Sequence, residues 1–185
     1  MKIIALMIGK KNSSGVPGKN ISLVNGKRLC EYPLIAAKNT RSISEIFVST
    51  NCPTIESVGT DYGCQIIKRP KEHDDPETLT EDVLSHAHAE IKKKHGSTID
   101  YYVLLYANGA FLDSELLENA INKLTENPSF DSCVGVVNAD MFTPIRAKKI
   151  GRDGELKPFI DLKYFGEITS NRDSAGSAFF IDLSL

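Results

Sequence analysis

Short apolar runs of strand length alternate five times with stretches whose apolar residues recur at helical spacing. The runs are Lys2–Ile8, Glu45–Thr50, Cys64–Lys68, Asp100–Tyr106 and Ser132–Val137. Helices are expected over Leu29–Asn39, from Pro53 to near Gly63, from about Thr80 to Lys94, and onward from a cap at Asp113 or Ser114. This order predicts an α/β fold with a mostly parallel sheet, right-handed crossovers and helices on both faces. Ligands of such sheets bind beyond the carboxyl ends of the strands.

Local signals sharpen the pattern. Pro33 is tolerated in a first helical turn. Thr78-Leu79-Thr80-Glu81 fits a capping box, and Val83, Leu84, Ala87 and Ile91 mark the buried face of the helix behind it. Leu116, Leu117, Ala120, Ile121 and Leu124 form the apolar face of the next helix. Asn25-Gly26-Lys27 reads as a turn. From Asp140 the rhythm changes: Pro144–Ile150 and Glu155–Ile160 flank Arg152-Asp153-Gly154 as a hairpin, and Ser177–Asp182 reads as a last strand. A two-stranded arm is marginal by itself in water, and another subunit would give it something to lie against.

With 185 residues, 41% of them hydrophobic, the chain can bury one core, so a single domain over residues 1–185 is expected, with the arm at about 140–170. A net charge of −2 and the lack of a long Lys/Arg block argue against a nucleic-acid surface. The leading apolar run is too short for a signal peptide or a membrane span. Cys30, Cys52, Cys64 and Cys133 show no C-x-x-C spacing and read as reduced thiols of a cytoplasmic protein. His86 and His88 stand two apart, do not share a helix face, and are discounted as a metal pair.

The chemistry concentrates in Gly9-Lys10-Lys11-Asn12-Ser13-Ser14-Gly15-Val16-Pro17-Gly18-Lys19-Asn20, directly after the first apolar run. Glycines admit a ligand close to backbone N–H groups, and hydroxyls and ammonium groups take up phosphate oxygens. The stretch is not a P-loop: Ser13 stands where the first glycine belongs, and Asn20 where the Mg-binding hydroxyl belongs. Nor does it fit G-x-G-x-x-G. It reads as an anion cradle of another kind.

That loop resembles the opening of the sugar-activating cytidylyltransferases, the CMP-N-acylneuraminate and CMP-nonulosonate synthetases. Residues Ser13 to Asn20 follow the family's Ser-Lys-Gly-x-Pro-x-Lys-Asn, except that Ser14 replaces the lysine, and Lys10 sits at the family's arginine. Asn25-Gly26-Lys27-Arg28-Leu29, Val48-Ser49-Thr50-Asn51, Tyr62-Gly63, Lys68-Arg69-Pro70 and Thr80–Ala87 extend the similarity along the chain. The resemblance implies a Rossmann-like nucleotidyltransferase fold and a homodimer with an exchanged hairpin arm. It also implies a reaction in which the anomeric hydroxyl of an acidic 2-keto sugar attacks the α-phosphate of CTP, with Mg²⁺ required.

Carried over position by position, Lys10 and Lys19 contact the phosphates and do the catalytic charge neutralisation. Backbone amides near Ser13, Ser14 and Gly15 cradle the triphosphate. Asn20, Arg69 and Thr80 fall around the cytosine and ribose. Asn108 follows a strand on the same edge. Arg172 and Asp173 fall beside the sugar. Lysine at position 10 keeps the charge of the family's arginine but not its bidentate fork. After the fourth run, Leu105–Leu112 departs from the family's sugar-reading segment, so the acceptor stays open. Family members also continue past the point where this sequence stops, with an Asp-x-Asp that holds the metal. This sequence contains none, so a fragment is expected and the metal ligands are unassigned. Two other readings stand beside a CMP-sugar synthetase. One is a nucleotidyltransferase using another NTP and a sugar 1-phosphate. The other is a catalytically inactive nucleotide-binding subunit.

Overall fold

The computed structural model describes residues 1–11, 16–70, 73, 78–96, 99–138, 147–159 and 179–181. The chain groups into two compact units, Met1–Cys133 and Val134–Leu183.

In the first unit the expected alternation is present. The elements are β1 (Ile3–Gly9), a small hairpin of β2 (Leu23–Val24) and β3 (Lys27–Arg28), α1 (Glu31–Asn39), β4 (Glu45–Thr50), α2 (Pro53–Asp61), β5 (Gln65–Lys68), α3 (Thr80–His95), β6 (Tyr101–Tyr106) and α4 (Ser114–Glu126). Four strands form a parallel sheet in the order β5-β4-β1-β6. Every residue of β1 is buried, as a central strand requires. Its side chains alternate between two cores. Ala5 and Met7 pack with Leu34, Ala36 and Ala37 of α1, Ile55 and Val58 of α2 and Leu117 of α4. Ile4, Leu6 and Ile8 pack with Val83, Ala87 and Ile91 of α3. The sheet is therefore covered on both faces.

The turn at Asn25-Gly26 has positive φ at both residues, 48° and 80°, the geometry that joins tight hairpins. Three expectations need correction. Helix α1 starts two residues later than Leu29, because the Cys30 N–H is taken by the Asn20 carbonyl at 2.9 Å and holds the chain in a turn. The capping box at Thr78 does not form: the N-cap of α3 is Leu79, whose side chain carries no acceptor. Leu116 lies exposed, while Leu117 and Ile121 carry the buried stripe of α4. The cap at Asp113 is present, its Oδ1 accepting the Leu116 N–H at 2.7 Å.

The fifth run does not join the parallel sheet. In the second unit β7 (Val136–Asn138) pairs antiparallel with β10 (Phe179–Ile181). A short apolar run cannot by itself declare its partner or direction. The hairpin forms as β8 (Lys148–Ile150) and β9 (Leu156–Pro158), with Ile150 opposite Leu156. Gly154, at φ 82°, closes its turn by donating to the Gly151 carbonyl at 3.1 Å.

Candidate functional site

The strand order reverses beside β1: the chain moves outward to β4 and β5, then returns to place β6 on the other side. The carboxyl ends of β1 and β6 thus flank the crevice where ligands of such sheets lodge. They approach closely. The Ala107 N–H donates to the Ile8 carbonyl at 3.0 Å. A Cβ on Gly9 would lie only 2.7 Å from that of Ala107, so glycine is required there.

Lys10 and Lys11 leave β1 at this point, the first half-buried and the second exposed. The peptide joining them is held from two sides. Asn20 Nδ2 donates to the Lys10 carbonyl at 3.1 Å, and the Lys11 N–H donates to Asn51 Oδ1 at 3.0 Å. Asn20 is 8% exposed, and its Oδ1 is buried without a partner among the described residues. Gly18, at φ 70°, turns the chain into the short 3₁₀ helix Lys19–Ile21. Lys19 is half-buried and its N–H donates to the Val16 carbonyl at 3.2 Å.

Arg69, just past β5, reaches back to β4. Its Nε donates to Ser49 Oγ at 3.1 Å and its Nη2 to the Ser49 carbonyl at 2.8 Å. These bonds fix the guanidinium at the carboxyl edge, so Arg69 does more than open a loop. Asn108 follows β6 in a turn in which the Ala110 N–H donates to the Asn108 carbonyl at 3.0 Å. Thr80 is exposed at the first position of α3. Ser13, Ser14, Gly15, Arg172 and Asp173 lie outside the described residues.

The structure therefore brings Lys10 and Asn20 into direct contact and places Arg69, Asn108 and Thr80 where strands end or α3 begins. Sequence reasoning missed two participants, Ser49 and Asn51. A signal existed: Ser49 stands near the carboxyl end of β4 and Asn51 directly after it.

Cationic side chains and fixed amides at one edge suit a polyanion. A thiol nucleophile does not fit: burial, above all, pushes Cys30 up to about 11, so it stays protonated at neutral pH. Cys64 is likewise raised to about 11 by burial. Among the described residues no three His, Cys, Asp or Glu side chains gather to hold a metal ion. Among the described residues no carboxylate set is therefore assigned to Mg²⁺, a cation that takes oxygen ligands. His86 packs against His73 and His88 against Tyr102, on different sides as their spacing requires. No helix among the described residues is long and apolar enough to cross a membrane.

Comparison with known proteins adds a lineage to this geometry. The profile of the family described as "Cytidylyltransferase" matches residues 5–159. A pseudaminic acid cytidylyltransferase of Campylobacter jejuni is 28% identical over 130 residues, covering 70% of this chain and 56% of that protein. N-acylneuraminate cytidylyltransferase A of Danio rerio is 26% identical over 153 residues, covering 83% of this chain and 34% of that one. This chain thus spans from about a third to little more than half of these two relatives. Among solved structures, a CMP:2-keto-3-deoxy-manno-octonic acid synthetase complexed with CTP superimposes with a TM-score of 0.57 at 21% identity, covering 70% of this chain and 50% of that one. Likeness at that identity establishes a shared fold, the α/β nucleotidyltransferase arrangement.

Proposed function

From the premise that this chain belongs to the cytidylyltransferase family, we propose that it takes part in transferring CMP from CTP to an acidic 2-keto sugar of the nonulosonate class. The anomeric oxygen forms a bond to the α-phosphorus, the bond from that phosphorus to the β-phosphate bridge breaks, pyrophosphate leaves, and the hydroxyl proton is lost. The observation that carries this reading is the Lys10–Lys11 stem, fixed at the carboxyl end of β1 where the strand order reverses.

In this reading Lys10 and Lys19 neutralise the phosphate tail, which is the main task of a phosphoryl-transfer site. Amides of Ser13, Ser14 and Gly15 cradle it. Asn20 offers its buried Oδ1 to the nucleoside, with Arg69, Thr80 and Asn108 completing the base and ribose side. Arg172 and Asp173 face the acceptor. A bound Mg²⁺ would supply further charge neutralisation in this chemistry; no residue is assigned to hold it. The chain works in the cytoplasm with CTP and an acidic sugar, and contacts neither nucleic acid nor membrane. It pairs as a homodimer through the β8–β9 arm, whose Ile150, Leu156 and Phe159 are 76%, 70% and 60% exposed.

Pyrophosphate release is the test, assayed with each of CTP, UTP, GTP and ATP against nonulosonic acids and against sugar 1-phosphates. CTP with a nonulosonic acid should be the productive pair. Lys19→Ala should raise the dissociation constant for CTP roughly ten- to hundredfold, the weight of a charge-assisted contact of about 1.5–3 kcal/mol. Turnover with another nucleotide and a sugar 1-phosphate would overturn the assignment. The lack of a carboxylate cluster among the described residues favours a second reading, an inactive nucleotide-binding subunit. It predicts that CTP raises the melting temperature while no sugar acid is turned over.

A further inference from the structure

Two of the bonds at the loop stem converge on one group. The Lys10 carbonyl and the Lys11 N–H belong to the same peptide, and each is taken by a different asparagine, Asn20 at 3.1 Å and Asn51 at 3.0 Å. In a trans peptide these two poles point in opposite directions. Two side chains therefore hold a single peptide plane from opposite sides and fix its rotation. That rotation sets the directions in which Lys10 and Lys11 leave the strand.

We propose that Asn20 and Asn51 act together as positioning residues, a clamp that orients the Lys10–Lys11 peptide so that the loop receives the phosphate tail. This rests on the CTP reading above. Asn51 directly follows β4 (Glu45–Thr50), so the clamp ties the loop stem to the neighbouring strand. Asn20 is buried, and its own backbone carbonyl is fixed by the Cys30 N–H, so that half of the clamp is rigid.

The two asparagines have opposite chemical requirements. Asn20 must donate, because it faces a carbonyl; Asn51 must accept, because it faces an N–H. Aspartate at position 51 keeps the acceptor that the Lys11 N–H needs, whereas at position 20 a carboxylate would meet the Lys10 oxygen with no hydrogen between them.

The test reads amide hydrogen exchange at Lys11 by NMR, alongside titration with CTP and with cytidine. In the unaltered chain the Lys11 amide should be protected. Asn51→Ala should speed its exchange about three- to tenfold, as expected for one hydrogen bond. Asn51→Asp should restore protection. Asn20→Asp should loosen the stem at least as much as Asn20→Ala. Asn51→Ala should also weaken CTP about three- to tenfold and leave cytidine, which has no phosphate, unaffected. Unchanged exchange at Lys11 in Asn51→Ala overturns the clamp, as does an equal loss of CTP and cytidine. An unaltered chain that does not bind CTP overturns the nucleotide reading instead, while exchange at Lys11 still judges the clamp. Asn51 is only half-buried, unlike Asn20, so its variants keep the test alive even where Asn20→Ala fails to fold.

Discussion

Gly9 has no side chain because two others already occupy the space. A Cβ there would meet Ala107 at 2.7 Å and Ile55 Cδ1 at 3.1 Å. Gly9→Ala should cost about 1–3 kcal/mol, the usual penalty for overpacking a core. Urea denaturation should show a lower midpoint with an unchanged slope. The need for glycine at this point was legible only in part. The sequence marks the start of a loop, but the near contact with Ala107 comes from the residue just after β6, almost a hundred positions later. Lys10, Lys19 and Asn20 were visible as a motif because they lie within one stretch. Asn51 was visible only as a residue after a strand, because its bond to Lys11 spans forty positions and nothing in Ser49-Thr50-Asn51 names its partner.

The elements were more legible than their ends. Period-2 and period-3.6 patterns find strands and helices because burial imposes them, and the stripe Val83, Ala87, Ile91 on α3 is buried as expected. Ends depend on single hydrogen bonds, which is why α1 begins late and why Leu79 rather than Thr78 caps α3. At the opposite edge from the candidate site, β4, β5, the residue before β1 and the last residue of α3 are tied together. Glu45 Oε1 lies 3.1 Å from Lys2 Nζ and 3.3 Å from His95 Nε2, Lys2 Nζ lies 2.7 Å from His95 Nδ1, and Gln65 donates to the second Glu45 oxygen. Burial pushes the Glu45 carboxyl up, but Lys2, His95 and Gln65 together outweigh it and hold it below its usual 4.5. A lowered folded-state value means stabilisation that is present above the unfolded value and lost as pH falls through the folded one. Thermal unfolding should thus show a steeper acid loss of stability below about pH 4.5 in the unaltered chain than in Glu45→Gln. Equal slopes would remove Glu45 from the account. The group is partly exposed, so salt should shrink the difference.

At the scale of the whole molecule, the sequence pattern showed an α/β architecture but not the pairing of its last strands. The run ending at Val137 looks like any other strand of the series, yet it pairs antiparallel with Phe179–Ile181 in the second unit. Pattern carries which residues seek burial, not which distant segment buries them. The arm carries its own prediction. If Ile150 and Leu156 meet a second copy, light scattering should give twice the chain mass, and Ile150→Lys should return it to the monomer without loss of the first unit's helical signal. A monomer before substitution would remove the arm from the assembly. One consequence follows from the tight meeting of Gly9 and Ala107, where the end of β1 meets the residue after β6. It acts as a depth stop, a floor of glycine backbone and one short methyl with no long side chain to bend aside. Under the CTP reading proposed above, a ligand resting there would be gauged by height: a bulkier one could not sink lower and would stand prouder at the rim, its far end out of register with the lysines.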